Sequence, residues 1–132
     1  MSRKTARDAA VRLLYARMLG GNAEKPMQEE TLGVKISGAD WEFVQSALEG
    51  IAAHEEELNA LVSQYLRGWT LERVARVDLC ILQNAFFEIL YREDIPASVS
   101  INEAVELAKN YGGPDSSSFI NGILSQYMKD HP

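Results

Sequence analysis

The stretch Val74-Ala-Arg-Val-Asp-Leu-Cys-Ile-Leu-Gln-Asn-Ala-Phe-Phe-Glu-Ile-Leu-Tyr-Arg92 is apolar on most sides when it is placed on a helix. Its polar residues fall on one stripe, formed by Asp78, Asn84, Glu88 and Arg92. Helices that are apolar nearly all round are buried in the middle of a bundle. We therefore predict a central helix over about 74–92. Pro96 ends this segment, because the residue before a proline avoids the helical region.

Two stretches before the central segment also show helical spacing. Thr5-Ala-Arg-Asp8 reads as a capping box that starts a first helix, and Gly20-Gly21-Asn22 ends it. Residues 20–37 hold three of the nine glycines and a proline, which predicts a connecting loop. From Ser37 to Tyr65, apolar residues follow spacings of three and four, apart from a gap near Glu55. This pattern predicts a long helix with a bend or a change of packing partner at the gap.

The residues after the central segment predict two more helices. Ser100-Ile-Asn-Glu103 reads as a second capping box, and Gly112-Gly113-Pro114 is a strong stop. Asp115 or Ser116 is expected to cap the last helix. No alternating strand pattern of useful length occurs, and short connections favour antiparallel neighbours. The predicted fold is an all-α bundle of about six to seven helices.

Length and composition limit the function. A chain of 132 residues is expected to form one domain, and 46% hydrophobic residues suffice for a core without disulfides or a structural metal. Cys80 is the single cysteine, and no CxxC or HExxH motif is present, so we predict no metal and no cofactor. No apolar stretch reaches the roughly 20 residues that a membrane-spanning helix needs, and the N-terminus lacks the features of a secretory signal. We expect a cytoplasmic protein.

The formal net charge of -6 hides an asymmetry. Residues 1–17 carry +4 and the other 115 residues carry -10; the basic residues of this arm are Arg3, Lys4, Arg7, Arg12 and Arg17. The total argues against a polycationic nucleic-acid binder. Cations at a helix start do not stabilise the helix, but arginine forks and free amides there bind phosphate. Arg3 and Arg7 are expected on the same side of the helix. The arm is thus a candidate phosphate clamp, with a solvated basic tail as the alternative.

A second candidate feature is Tyr15, which lies on the basic face of the first helix. It is suited to stacking on an unpaired base or to anchoring a protein partner, and the alternative is a tyrosine at the edge of the core. The loop over 112–118 offers hydroxyls and amides, although capping explains most of them. Asp78 and Glu88 are three turns apart, and no nucleophile with its base is recognisable nearby. We predict that the protein is not an enzyme.

Three blocks of the sequence carry a resemblance to a known family. They are Ala6-Arg-Asp-Ala-Ala-Val-Arg-Leu-Leu-Tyr15, then Trp69–Pro96, then Ile101-Asn-Glu-Ala-Val-Glu-Leu-Ala-Lys-Asn-Tyr-Gly112 followed by Asp115-Ser and Phe119-Ile-Asn-Gly-Ile-Leu124. In order and spacing, they make the chain similar over nearly its whole length to the bacterial transcription antitermination factors of the NusB family.

This resemblance implies one domain over 1–132, built as two small packed sub-bundles at about 1–67 and 68–132. It implies a factor that pairs with NusE, a small-subunit ribosomal protein, and binds the boxA element of ribosomal-RNA leader transcripts. The resemblance also implies an indirect interaction with the elongating RNA polymerase complex. Carried over by position, RNA contacts are implied for Arg3, Lys4, Arg7, Tyr15, Asp115 and Phe119. NusE contacts are implied for Tyr15, Glu72 and Asp78.

The function predicted from the sequence is therefore non-catalytic antitermination of ribosomal-RNA transcription. Two alternatives stay open. One is a protein-only interaction module, including a homodimer of the free chain. The other is a detached accessory domain of a ribosomal-RNA methyltransferase, although no Gly-rich cofactor-binding domain follows before Pro132.

Overall fold

Residues 3–20 and 38–132 are described by a computed structural model of the chain, and they contain six α-helices, one short 3-10 helix and no strand. The helices are α1 (Arg3–Met18), α2 (Gly38–Ala53), α3 (Glu55–Gln64), the 3-10 helix (Leu71–Arg73), α4 (Arg76–Tyr91), α5 (Ala97–Tyr111) and α6 (Ser116–Asp130). The all-α prediction is confirmed. The predicted loop over 20–37 lies, beyond Gly20, outside the described residues.

Helix α4 forms the centre of the bundle, as its sequence predicts. Ten of its sixteen residues are buried, and it packs against α1, α2, α3, α5 and α6. Phe86 is fully buried, and so is the thiol of Cys80, whose burial raises its pKa to about 12. The polar stripe of α4 is buried as well, at Asp78, Asn84 and Glu88. These side chains must therefore find hydrogen-bond partners inside the protein.

The other helices pack around α4 in two groups. Helix α1 lies against α2 through a face of small and aliphatic residues, and α5 pairs with α6. Because α4 shares a core with both groups, the division into sub-bundles at 1–67 and 68–132 stays a prediction. Within the described ranges, no helix combines the length and the apolar character that crossing a lipid bilayer would require.

The predicted bend near Glu55 is confirmed. Helix α2 ends at Ala53 and α3 begins at Glu55, so His54 alone separates them. The imidazole of His54 stacks on the ring of Tyr91 in α4, with 4.2 Å between ring centroids. The three glutamates that follow His54 lie in the first turn of α3, where the helix dipole favours negative charge.

The predicted capping box at Thr5–Asp8 is wrong. Helix α1 already includes Arg3, so Thr5 lies inside the helix rather than at its start. The carboxylate of Asp8 instead accepts a hydrogen bond from the hydroxyl of Tyr111 in α5, at 2.7 Å. The carboxylate of Asp8 thus has a partner in a distant part of the chain.

The second predicted capping box, Ser100–Glu103, is also wrong. Helix α5 begins at Ala97, directly after Pro96 at the N-cap position, which suits a residue that lacks an amide hydrogen. Ser100 is buried within the helix, and its hydroxyl donates to Glu88 of α4 at 2.8 Å. The predicted stop after this helix is confirmed, since α5 ends at Tyr111.

Candidate RNA and partner interface

Helix α1 presents two basic side chains and one aromatic side chain on a single exposed face. Lys4, Arg12 and Tyr15 are all exposed and lie within about a quarter of a helical turn of one another. The ammonium of Lys4 lies 4.0 Å from the carboxylate of Glu103, which is a long ion pair. Among the described residues, no carboxylate forms an ion pair with Arg12. This α1 face therefore offers cations that an anionic ligand can engage.

Arg3 lies at the edge of this face and is already engaged. Its Nη2 donates to Asp94 Oδ2 at 3.0 Å, and its guanidinium lies over the ring of Phe43 in α2, at 4.9 Å from the centroid. Arg92 binds the same carboxylate through Nε and Nη2, both at 3.0 Å. These hydrogen bonds, chiefly from Arg92 and then from Arg3, hold the pKa of Asp94 well below its usual range. We call Arg3, Phe43, Arg92 and Asp94 the Phe43 cluster.

The structure corrects the prediction for Arg7. Only 3% of Arg7 is exposed, and its Nε donates to Glu88 Oε2 at 2.6 Å. The same carboxylate accepts hydrogen bonds from Asn84 Nδ2 at 3.1 Å and from the Ser100 hydroxyl. The expected shared side with Arg3 is confirmed, because both guanidiniums approach Phe43. That side faces α2 and α4, so Arg7 serves the core and offers no group to RNA.

Tyr15 lines an apolar groove between α1, α4 and α5. The groove has a volume of about 430 Å³ and is lined by Val11, Arg12, Tyr15, Ala16, Leu19, Val77 and Tyr111. Burial raises the pKa of Tyr111, and so does its hydrogen bond to Asp8. This hydrogen bond holds the side chain of Tyr111 at the edge of the groove. Tyr15 is 39% exposed, so its ring remains accessible. We call this site the Tyr15 groove.

The structure also corrects the prediction for Asp78, which is not a surface residue. It is 6% exposed in the first turn of α4, and its Oδ2 accepts a hydrogen bond from the Ser116 hydroxyl at 3.0 Å. Its Oδ1 is buried and has no hydrogen-bond partner in the described structure. Burial raises the pKa of Asp78 above 3.8, and the bond from Ser116 opposes this shift. Asp78 is therefore covered by the start of α6, whereas the resemblance implied an accessible carboxylate for NusE.

Ser116 connects Asp78 to the turn between α5 and α6. Its hydroxyl oxygen accepts a hydrogen bond from the amide of Gly113 at 2.9 Å. A side chain at Gly112 would overlap with Ser116, so the absence of a Cβ allows this close approach. Asp115 follows the turn at the N-cap position of α6, but its side chain makes no capping hydrogen bond. Its carboxylate is exposed, in agreement with a surface role.

Two further predicted residues lie on the part of the surface around the 3-10 helix. Glu72 is exposed within that helix. Phe119 is partly buried, and its ring centroid lies 5.2 Å from that of Trp69, which is itself exposed. The two rings line a second groove of about 310 Å³, together with residues that include Tyr65, Arg67, Ser118 and Gln126.

The predicted site residues thus fall into several groups. Lys4 and Tyr15 share the α1 face, Arg3 lies in the Phe43 cluster, and Phe119 lies in the second groove, which shares no lining residue with the Tyr15 groove. Two neighbours of the predicted residues, Arg12 on the α1 face and Trp69 in the second groove, were not predicted from the sequence. A signal for Arg12 was its position eight residues after Lys4, which places both on one face. In residues 3–20 and 38–132, no group of three or more acidic, histidine or cysteine side chains is arranged to hold a metal ion.

Comparison with known proteins identifies the family. A model of the NusB family matches residues 4–129. The chain belongs to the NusB family. Family membership confirms the predicted resemblance, and it makes the chain a non-catalytic antitermination factor of the NusB type rather than an enzyme.

Relatives named transcription antitermination protein NusB match the chain along almost its full length. The NusB of Acetivibrio thermocellus is 38% identical over 130 residues, which cover 98% of this chain and 90% of the relative. The NusB of Halalkalibacterium halodurans is 39% identical over 129 residues, with 98% and 95% covered.

Solved structures of NusB share the fold. A crystal form of T. maritima NusB superposes with a TM-score of 0.86 at 31% identity, covering 99% of this chain and 93% of that one. The NusB fold also matches, with a TM-score of 0.83, a structure described as antitermination factors NusB and NusE in complex with dsRNA. At 23% identity, covering 98% of this chain and 97% of that one, this second match supports the fold alone.

Proposed function

We propose that this NusB-family chain pairs with NusE and binds boxA-type RNA of ribosomal-RNA leader transcripts, in the cytoplasm where those transcripts are made. The observation that supports this function is the exposed α1 face, on which Lys4, Arg12 and Tyr15 lie together in a chain whose family is established. A protein of the same fold has been described in complex with NusE and dsRNA. The elongating polymerase would be engaged through this complex.

The α1 face suits single-stranded RNA better than a duplex. Basic side chains there contact phosphates, and Tyr15 supplies an aromatic surface on which an unpaired base stacks. The rest of the chain carries -10 and would repel a long duplex laid across it. Asp115 and Phe119 remain predicted RNA contacts at the start of α6.

The Tyr15 groove suits a protein partner. Its apolar lining, with Val11, Leu19 and Val77, can accept an apolar side chain of NusE, and buried aromatic contacts of this kind dominate binding energies. Glu72 and the acidic remainder of the chain complement a basic ribosomal protein. We therefore place Tyr15 at the junction of the RNA and NusE surfaces.

A titration of fluorescently labelled boxA RNA and scrambled RNA, with and without NusE, tests this function. The wild-type chain with NusE is expected to bind boxA RNA more tightly than scrambled RNA. Replacing Lys4 or Arg12 by Gln should weaken binding and reduce the magnitude of the salt slope by about 0.7 for each lost phosphate contact. Lys129→Gln, an exposed change at the end of α6, is the matched control and should leave binding unchanged.

Three outcomes would contradict parts of the proposal. Equal binding of boxA and scrambled RNA by the complex would reject boxA recognition. An unchanged salt slope for Lys4→Gln and Arg12→Gln would remove the α1 face from the RNA surface. Complete absence of RNA binding, with normal NusE pairing, would favour the protein-only module.

A further inference from the structure

The carboxylate of Asp94 occupies a position between two arginines from distant parts of the chain. Its Oδ2 accepts from Arg3 Nη2 and from Arg92 Nη2, and its Oδ1 accepts from Arg92 Nε, all at 3.0 Å. Both guanidiniums lie over the ring of Phe43, at 4.9 and 5.0 Å from its centroid. One aromatic ring from α2 thus holds two cations around one anionic group.

This arrangement is a preformed anion site that the protein fills with its own carboxylate. The planar fork of arginine matches carboxylate and phosphate oxygens equally well. The side chain of Arg92 is only 19% exposed and is therefore held in place, whereas the side chains of Arg3 and Asp94 are 52% and 51% exposed. Asp94 can accordingly swing into solvent without any opening of the core.

The charges beneath the cluster leave the site positive once Asp94 departs. Arg7, which also approaches Phe43, is neutralised by its buried pair with Glu88. Arg3 and Arg92 then share the single negative charge of Asp94. Because hydrogen bonds from these arginines lower its pKa, Asp94 is ionised throughout the neutral range.

We propose that Asp94 is an internal competitor for RNA, and that a backbone phosphate replaces its carboxylate between Arg3 and Arg92. This inference rests on the proposed RNA-binding function, and it adds Arg92 to the RNA surface. RNA is the favoured anion because Arg3 precedes Lys4, the first cation of the proposed α1 face. The Asp94 carboxylate weakens RNA binding by the free protein, because the phosphate that binds Arg3 and Arg92 must first displace it.

Asp94→Asn tests the competition, with Glu93→Gln as its matched control. Both changes remove one negative charge at neighbouring exposed positions, but only Asp94 contacts the arginines. Asp94→Asn is expected to tighten RNA binding about two- to fivefold, which is the range of an exposed ion pair. The magnitude of the salt slope should rise by up to about 0.7, because the phosphate contact is only partly occupied while Asp94 competes for the two arginines. Glu93→Gln should change both quantities much less.

A second set of variants tests whether the tighter RNA binding of Asp94→Asn depends on Arg3 and Arg92. In the background of Arg3→Gln or Arg92→Gln, the gain from Asp94→Asn should largely disappear. Arg92→Lys keeps the charge but removes the fork, so it should weaken RNA binding even if Asp94→Asn fails to fold. Circular dichroism of each variant establishes that the helices are retained.

The competing outcomes are distinct. Equal gains from Asp94→Asn and Glu93→Gln would show a general effect of charge and overturn the inference. A gain that persists without Arg3 and Arg92, or unchanged binding by Arg92→Lys, would overturn it as well. Phosphate contacts are independent of sequence, so the gain is expected on boxA and scrambled RNA alike. Failure of the proposed function would appear separately, as wild-type protein that does not prefer boxA.

Discussion

At the scale of single residues, the ion pair between Arg7 and Glu88 shows how one arginine of a basic arm becomes part of the core. Glu88 accepts hydrogen bonds from Arg7, Asn84 and Ser100, which lie on three different helices. A buried charge is tolerated only when its partners are complete. The network therefore ties the start of α1 to α4 and α5.

Arg7→Ala should consequently destabilise the fold rather than act on RNA directly. Removing one partner leaves Glu88 as an uncompensated buried charge, which costs about 3–5 kcal/mol in the free energy of unfolding. Urea denaturation followed by circular dichroism measures this loss. Arg12→Ala, on the exposed face of the same helix, is the control and should stay within about 0.5 kcal/mol of the wild type. A loss below 1 kcal/mol for Arg7→Ala would refute the network.

Asp78 gives the protein a pH dependence with a sign opposite to that of a salt-bridged aspartate. Burial raises its pKa in the folded state, so the folded protein keeps this proton to a higher pH than the unfolded chain does. Unfolding then releases a proton, and the contribution of Asp78 to stability falls as the pH rises from 3.8 through the raised value. The stability of the wild type relative to Asp78→Asn should decline over that window and stay flat above it.

Urea denaturation at a series of pH values, on both proteins, measures this difference. Asp115→Asn is the control, because its carboxylate is exposed at the start of α6 and makes no capping bond. A wild-type protein that gains stability relative to Asp78→Asn with rising pH would contradict the assigned burial.

The predicted site residues show what a single helix pattern can establish. Tyr15 was predicted on the basic face of the first helix, and it is exposed there beside Lys4 and Arg12, because the apolar residues of that helix define the opposite face. Arg7 and Asp78 were misplaced, because a helical wheel does not tell which neighbouring helix covers a polar position. That information lies in residues such as Ser100 and Ser116, which meet them only in the folded chain.

At the scale of the elements, the contact between α2 and α4 depends on a glycine. A Cβ at Gly50 would overlap with the ring of Phe87, which is buried. In contrast, a Cβ at Gly122 of α6 would meet no atom within 4 Å. The two glycines therefore differ in why they are tolerated within a helix.

Gly50→Ala and Gly122→Ala form a matched pair. Alanine favours a helix interior by about 1 kcal/mol over glycine, so Gly122→Ala should stabilise the fold by up to that amount. Gly50→Ala should destabilise it, because overpacking a core costs about 1–3 kcal/mol. Thermal unfolding of both variants shows whether each change stabilises or destabilises the fold. A stabilised Gly50→Ala would disprove the close packing of α2 on α4.

The helix ends separate what is local in this fold from what is not. The stop at Gly112 and the bend near Glu55 were predicted, because backbone preference and hydrophobic spacing are properties of short segments. Both predicted capping boxes failed, since Asp8 binds Tyr111 and Ser100 binds Glu88 across the bundle. Long-range partners of this kind leave no trace in local spacing.

At the scale of the whole molecule, the division between a +4 arm and a -10 remainder predicts how a basic partner arrives. Complementary charge accelerates encounter more than it strengthens the final complex. The association rate with NusE should fall as salt is raised from 50 to 300 mM, by roughly one order of magnitude, while the dissociation rate changes little. Stopped-flow fluorescence measures both rates. Glu72→Gln should lower the association rate and leave the dissociation rate unchanged. A salt-independent association rate would argue against steering.

The buried thiol of Cys80 can report how often the centre of the bundle opens. With its pKa near 12 and its sulfur shielded by the surrounding helices, the folded protein presents almost no reactive thiolate at neutral pH. A thiol reagent can therefore react with Cys80 only after α4 has separated from its neighbours. As this chain has no other cysteine, the labelling rate of the native, unmodified protein reports how often the bundle opens, and NusE or RNA bound to its surface should slow that rate.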